Sequence, residues 1–233
     1  MRLVVGMTGA TGAAIGVRLL QHLAELSSVE THLVISRWAR STIELETGLT
    51  VREVTALADE VYAPEDQGAK ISSGSFRTDG MVIVPCSMKT LAGIRTGYAD
   101  GLVCRAADVV LKERGRLVLV ARETPLSEIH LENMLALSRM GAAIVPPMPA
   151  FYNHPQTVDD IVEHITTRIL DQFNLPSPAA ERWAGIRPAR AARPAPAEQN
   201  TTTSPTSPKD PSWLTTTSAA SSTPSTGKAN SCA

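Results

Sequence analysis

Val4-Val5-Gly6-Met7-Thr8-Gly9-Ala10-Thr11-Gly12 is the stretch that decides the fold: an apolar run that turns through glycines into a helical pattern within the first dozen residues. Glycine takes positive φ without a Cβ penalty and lets a ligand approach bare backbone. The amides that open the following helix are unpaired donors and favour an anion such as a phosphate. The same glycines also suit a tight strand-to-helix turn with no ligand, so the stretch alone leaves both readings open.

Outward from it, Arg2 to Gly6 reads as a buried strand and Ala13 to Leu26 as a helix with Ile15, Leu19, Leu20 and Leu23 on one face. Thr31 to Ile35 is a second strand, which completes a βαβ unit. Helices are expected over Trp38 to Thr47 and Val51 to Ala58, and a loop over residues 63–80 with Ser72-Ser73-Gly74-Ser75 at its middle. Met81 to Val84 is a third strand expected to stop at Pro85, with Ser87 as N-cap of a helix to about Arg95. Gly101 to Arg114 (helix), Leu117 to Ala121 (strand), Ser127 to Met140 (helix) and Ala143 to Val145 (strand) follow. Thr157 and Asp160 open a last helix to Phe173 in capping-box fashion. Strands that alternate with helices predict a parallel sheet covered on both faces, an α/β/α domain of three layers. Ligands in such sheets gather beyond the carboxyl ends of the strands. Gly9 to Gly12, Ser36, Pro85 to Thr90 and Arg122-Glu123 all follow strands and are expected to share one crevice.

With 43% hydrophobic residues in 233, the chain can bury one good core. Residues 1–180 carry 16 Lys+Arg against 20 Asp+Glu, and residues 181–233 carry 6 against 3, so no basic field calls for nucleic acid. Cys86, Cys104 and Cys232 follow no metal or disulfide spacing, which fits a reducing compartment. No apolar run approaches membrane-spanning length and the first residues lack a signal-peptide pattern, so a cytoplasmic protein with no membrane partner is expected. From Pro194 onward 29 of the last 40 residues are Ser, Thr, Pro or Ala, a composition that does not order itself.

Several residues carry candidate chemistry. The evenly spaced Gly6, Gly9 and Gly12, with Arg37 after the second strand, fit an NADP site, but no Tyr-x-x-x-Lys pair accompanies them. Ser87 and Thr90 offer hydroxyls at a helix start, as N-caps or as ligand contacts, and Ser36 has the same two readings. Arg105, Asp108 and Lys112 leave one helix face, either as a self-paired solvated set or as a functional one. Arg168 falls beside Ile161 and Ile165 on the face expected to pack inward, where an arginine must snorkel, pair or bind an anion. Asp159-Asp160 suits a helix dipole better than a metal, and the five histidines have no ligand spacing, so no metal site is expected.

Taken together, Gly6-Met7-Thr8-Gly9-Ala10-Thr11-Gly12, Ser72-Ser73-Gly74-Ser75-Phe76, Pro85-Cys86-Ser87-Met88-Lys89-Thr90-Leu91, Arg105-Ala106-Ala107-Asp108 through Leu111-Lys112-Glu113, Arg122-Glu123-x-Pro125, Ile129-His130-Leu131-Glu132-Asn133-Met134 and Phe151-Tyr152 resemble the UbiX-type flavin prenyltransferases over about residues 2–187. Ile43-Glu44-Leu45-Glu46 and Met88-Lys89-Thr90 are most similar to the members named as one component of phenolic (hydroxyarylic) acid decarboxylases. The resemblance implies a Rossmann-like, flavodoxin-like domain over residues 1–187 followed by a disordered tail, 188–233, and a homo-oligomer, a dodecamer by family analogy. It implies transfer of a dimethylallyl group from dimethylallyl monophosphate to N5 and C6 of reduced FMN, without a metal, with the prenylated FMN passed to a UbiD-type decarboxylase.

By the same resemblance Gly9, Ala10, Thr11, Ser36, Ser87, Met88, Lys89, Thr90 and Arg122 match FMN-binding positions. Lys112, Tyr152 and Arg168 match groups that hold the prenyl phosphate, the last two across an interface between copies of the chain. Glu46 and Glu123 match acid/base positions, Arg105 a further active-site arginine, and Trp183 an aromatic that covers the site. Many members have serine in place of Thr11, whose methyl restricts χ1. The rival readings are a flavin-dependent cysteine decarboxylase, which would need a histidine base near the flavin, and a non-catalytic NADP-binding module.

Overall fold

The computed structural model describes residues 1–177. Six strands, β1 (Arg2–Met7), β2 (Glu30–Ile35), β3 (Glu60–Tyr62), β4 (Gly80–Cys86), β5 (Arg116–Ala121) and β6 (Ala143–Ile144), form one sheet in the order β3-β2-β1-β4-β5-β6. Every pairing is parallel. This is the doubly wound order of Rossmann-type sheets, and the direction of winding reverses between β1 and β4. That switch point opens a crevice between the loops that leave the two strands.

Seven α-helices cover the faces: α1 (Ala13–Ala24), α2 (Arg37–Thr47), α3 (Val51–Thr55), α4 (Met88–Thr96), α5 (Leu102–Lys112), α6 (Glu128–Arg139) and α7 (Val158–Asp171). Side chains alternate across a strand. Leu3, Val5 and Met7 of β1 therefore pack with Leu19 and Leu20 of α1, Ile43 of α2 and Ile169 of α7. Val4 packs on the other face with Leu91 of α4, Leu102 of α5 and Leu137 of α6. Burying such a side chain contributes about 1.5–3 kcal/mol, so the opening strand is anchored from both layers. At Gly16 an added Cβ would come within 2.7 Å of the Val84 carbonyl oxygen, so glycine lets α1 lie close on the sheet. No helix among the described residues is long and apolar enough to cross a membrane.

Three expectations change. The third strand of the sequence reading does not stop at Pro85 but runs to Cys86. Proline has no N–H for the ladder, and the pairing with β5 shifts register between Ile83 and Cys86 instead of ending. Glu60–Tyr62 was expected neither as strand nor as helix; it is a three-residue edge strand paired to β2, too short to show a period. The helix that begins at Val51 ends at Thr55, short of Ala58.

Candidate functional site

Beyond the carboxyl ends of β1, β2 and β4 lies a cavity of about 720 Å³, walled by Thr8, Gly9, Ser36, Arg37, Ser87, Lys89 and Thr90 among others. Ser36 ends β2 and caps α2, its hydroxyl accepting from the Ala39 amide at 3.3 Å. Ser87 ends β4 and caps α4 through the Thr90 amide at 3.3 Å, with the Thr90 hydroxyl 3.1 Å away. Two hydroxyl-bearing helix N-termini thus open on one space, each with amides that favour an anion.

Thr8 holds this geometry together, a role sequence reasoning missed. It is 2% exposed. Its hydroxyl donates to the Pro85 carbonyl at 2.7 Å and accepts from the Ser87 amide at 2.8 Å. The end of β1 is thereby stitched to the end of β4 across the switch point. The only sequence signal was a hydroxyl residue between the apolar strand and the first loop glycine.

The glycine loop divides into two parts. Gly12 has φ 109° and stands as N-cap of α1 with no side chain of its own to satisfy the helix. Glu46, in the last turn of α2, supplies it: one carboxylate oxygen accepts from the amides of Gly12 (2.9 Å) and Ala13 (2.8 Å). The expectation that the amides opening this helix wait for a ligand anion is corrected here, because the chain provides its own carboxylate. Among the described residues no hydrogen bond reaches the amides of Gly9, Ala10 or Thr11, which stay available.

The fourth loop is joined to the others without lining the same cavity. The Arg122 amide donates to the Cys86 carbonyl at 3.2 Å. Its side chain and that of Glu123 are exposed at the same sheet edge, and a Glu123 oxygen accepts from the Thr124 amide at 3.0 Å. Met88 packs against the second core cluster. Lys89 extends into solvent 3.8 Å from Asp100. Cys86 is fully buried and Cys104 partly so, and burial pushes both thiols up.

The remaining candidates stand elsewhere. Arg105, on α5, donates to the Ser72 carbonyl at 3.1 Å and to Asp108 at 2.8 Å. Lys112 is the last residue of α5 and pairs with its neighbour Glu113, beside Gly74. Helix α5 begins at the crevice with Leu102 and runs about 16 Å away from it, given a rise of ~1.5 Å per residue. Lys112 therefore lies toward the amino-terminal edge of the sheet. A second cavity, of about 770 Å³, sits there among Arg2, Glu30, Gly74, Asp79 and Glu113, with no glycine loop and no helix N-terminus.

Tyr152 meets the His164 ring edge-on at 5.7 Å. Arg168 is not on the packed face of α7. Its side chain is 54% exposed and bonds to Asp171 at 2.7 Å, because the buried stripe is centred on Thr166, Ile169 and Leu170 and leaves Arg168 at its margin. Asp160 accepts from the Gln156 and Thr157 amides, both at 2.8 Å, and these bonds hold its carboxyl below the usual range. Among the described residues no three His, Cys, Asp or Glu side chains are grouped to hold a metal. Trp183 and the tail 188–233 lie outside the described residues.

A family model described as Flavoprotein matches residues 1–170. A probable UbiX-like flavin prenyltransferase of Streptomyces sp. (strain D7) is 80% identical over 192 residues, which cover 82% of this chain and 96% of that protein. The crystal structure of a dodecameric FMN-dependent UbiX-like decarboxylase from Escherichia coli O157:H7 is 72% identical with a TM-score of 0.79, over 79% of this chain and all of that one. AnUbiX (PadA1), solved in complex with FMN and dimethylallyl pyrophosphate, is 56% identical with a TM-score of 0.78, over 80% of this chain and 98% of that one.

Proposed function

We infer that this chain, which belongs to the Flavoprotein family and within it to the UbiX-like flavin prenyltransferases, transfers a dimethylallyl group to reduced FMN. The observation that carries the reading is the convergence, at the switch point, of three open amides (Gly9, Ala10, Thr11) with the hydroxyl-capped N-termini of α2 and α4. Such a set fits a flavin mononucleotide. The helix N-termini with Ser36, Ser87 and Thr90 take a phosphate, the glycine loop lets a flat ring approach backbone, and Arg122, with Met88 and Lys89, borders the space. FMN supplies the nucleophilic N5 and C6 of its reduced ring.

The donor is dimethylallyl monophosphate, and its leaving phosphate needs fixed positive charge and hydrogen-bond donors in a site closed to water. Lys112, Tyr152, Arg168 and Arg105 fit that requirement chemically, but within one chain they stand apart from the crevice. The site is therefore completed by neighbouring copies in a homo-oligomer. Supporting this, Ile129, Leu131 and Leu135 of α6, with Met148 and Phe151, leave large apolar surface exposed on the single chain. Glu46 and Glu123 serve proton transfer as N5 and C6 bond to carbon, and Trp183 covers the site. The enzyme works in the cytoplasm and passes prenylated FMN to a UbiD-type decarboxylase. The reaction needs nothing beyond residue 187, so truncation after Arg190 keeps product formation.

Anaerobic incubation of the protein with reduced FMN and dimethylallyl monophosphate, followed by mass spectrometry of the flavin, tests the reading. A flavin heavier by one dimethylallyl group is expected. An unchanged flavin mass, beside a control enzyme that turns over, overturns it.

A further inference from the structure

We propose that Glu46 has a positioning role in addition to any proton transfer: it locks the glycine loop into the shape that receives the flavin. The helices of the two hydroxyl-capped walls, α2 and α4, satisfy their own first amides through Ser36 and Ser87. Helix α1 cannot, because its N-cap is Gly12. A loop that must reach φ 109° at Gly12 has no side chain to hold it there, and glycine is the residue with most conformational freedom to lose. Glu46 reaches across from α2, 34 residues along the chain, and one of its oxygens takes the Gly12 and Ala13 amides together. The carboxylate also lies at the positive end of the helix dipole.

The bonds do two things. They fix the hinge between the loop and α1, so that the amides of Gly9, Ala10 and Thr11 face the crevice as a set. They also place a negative charge on the Gly12 and Ala13 amides, so a ligand phosphate is turned away from α1 and directed to the N-termini of α2 and α4. The proposal rests on the flavin site described above but not on the prenyl step, since its readouts are FMN affinity and backbone exchange.

The test compares Glu46→Gln with Glu46→Ala in the full-length apoprotein. Glutamine keeps an oxygen that can accept both amides, and alanine keeps none. FMN titration is expected to give a Kd within about threefold of the parent for Glu46→Gln and weaker by about tenfold or more for Glu46→Ala. Hydrogen exchange over residues 9–13 is expected to speed up in Glu46→Ala and to stay near the parent rate in Glu46→Gln. If Glu46→Ala does not fold, Glu46→Asp replaces it; one methylene shorter, it is expected to lose part of the affinity that Glu46→Gln keeps. An alanine variant with parental FMN affinity, or a glutamine variant as weak as alanine, overturns the proposal. A protein that binds FMN as described but yields no prenylated flavin overturns the proposed reaction and leaves the role of Glu46 standing.

Discussion

The crevice at the switch point and the outward set on α5 and α7 hold the same kinds of residue but are built differently. In the crevice each polar group is fixed by backbone from another element: Thr8 by Pro85 and Ser87, Glu46 by Gly12 and Ala13. On the outside, Arg105 pairs with Asp108, Lys112 with Glu113 and Arg168 with Asp171, partners one to three residues away on largely exposed surface. Exposed local pairs of this kind are worth little to stability. The first region is finished within one chain, whereas the second is a set of movable cations that acquires a purpose when another copy supplies a crevice.

The largest effects should come from breaking the outer set. Lys112→Ala and Arg168→Ala are each expected to lower prenyl transfer by about 100-fold or more while FMN affinity stays near parental, because lost charge stabilisation of a leaving group is a transition-state effect. Mass spectrometry of the flavin and FMN titration, run side by side, check the split. A sharper version mixes copies: a hetero-oligomer of Lys112→Ala and Arg122→Ala chains is expected to recover part of the activity that neither has alone. Recovery follows only if the two residues of one working site come from different chains.

Breaking the crevice should act on stability and flavin binding together. Thr8→Val leaves the Ser87 amide and the Pro85 carbonyl without their partner in a buried position, at a cost of about 1–3 kcal/mol for an unsatisfied group. Denaturant unfolding of the apoprotein should show that loss, and FMN affinity should fall with it because Ser87 loses its anchor.

The smallest expected effect is on acid stability, away from both regions. His32 on β2 is fully buried, 2.9 Å from the Tyr62 hydroxyl and 3.2 Å from a Glu30 oxygen, and burial holds its pKa below the usual histidine value. A depressed folded-state pKa means the unfolded chain binds the proton more readily. The contribution is thus complete above about pH 6.5, the ordinary histidine value, and is lost as pH falls through the folded-state pKa. Urea midpoints between pH 7 and pH 5 should drop in the parent and drop less in His32→Gln.

Legibility differed between backbone and site in a physically consistent way. Ser36, Ser87 and Thr157 were readable as helix starts because capping is local, and the capping bonds span three residues. Pro85 misled, since a local rule ends a strand at proline whereas the ladder to β5 continues beyond it with a shifted register. Arg168 misled for a related reason: helical periodicity gives a ridge, and only packing against α1 and the sheet shows which side of the ridge is buried. Thr8 and Glu46 were legible as members of motifs but not in their structural roles, because those bonds join residues 79 and 34 positions apart.

The amino-acid sequence by itself determined the alternation of strands and helices, the single apolar core, the helix caps and the loops that follow strand ends, since all of these rest on interactions within a few residues or on the period of the apolar pattern. Tertiary structure alone decided which amides of the glycine loop remain open, that Glu46 closes the others, and that Lys112 lies at the far end of α5 from the crevice. Those facts depend on how the sheet brings distant segments together, and strand order in a parallel sheet is not written in any one segment of the chain.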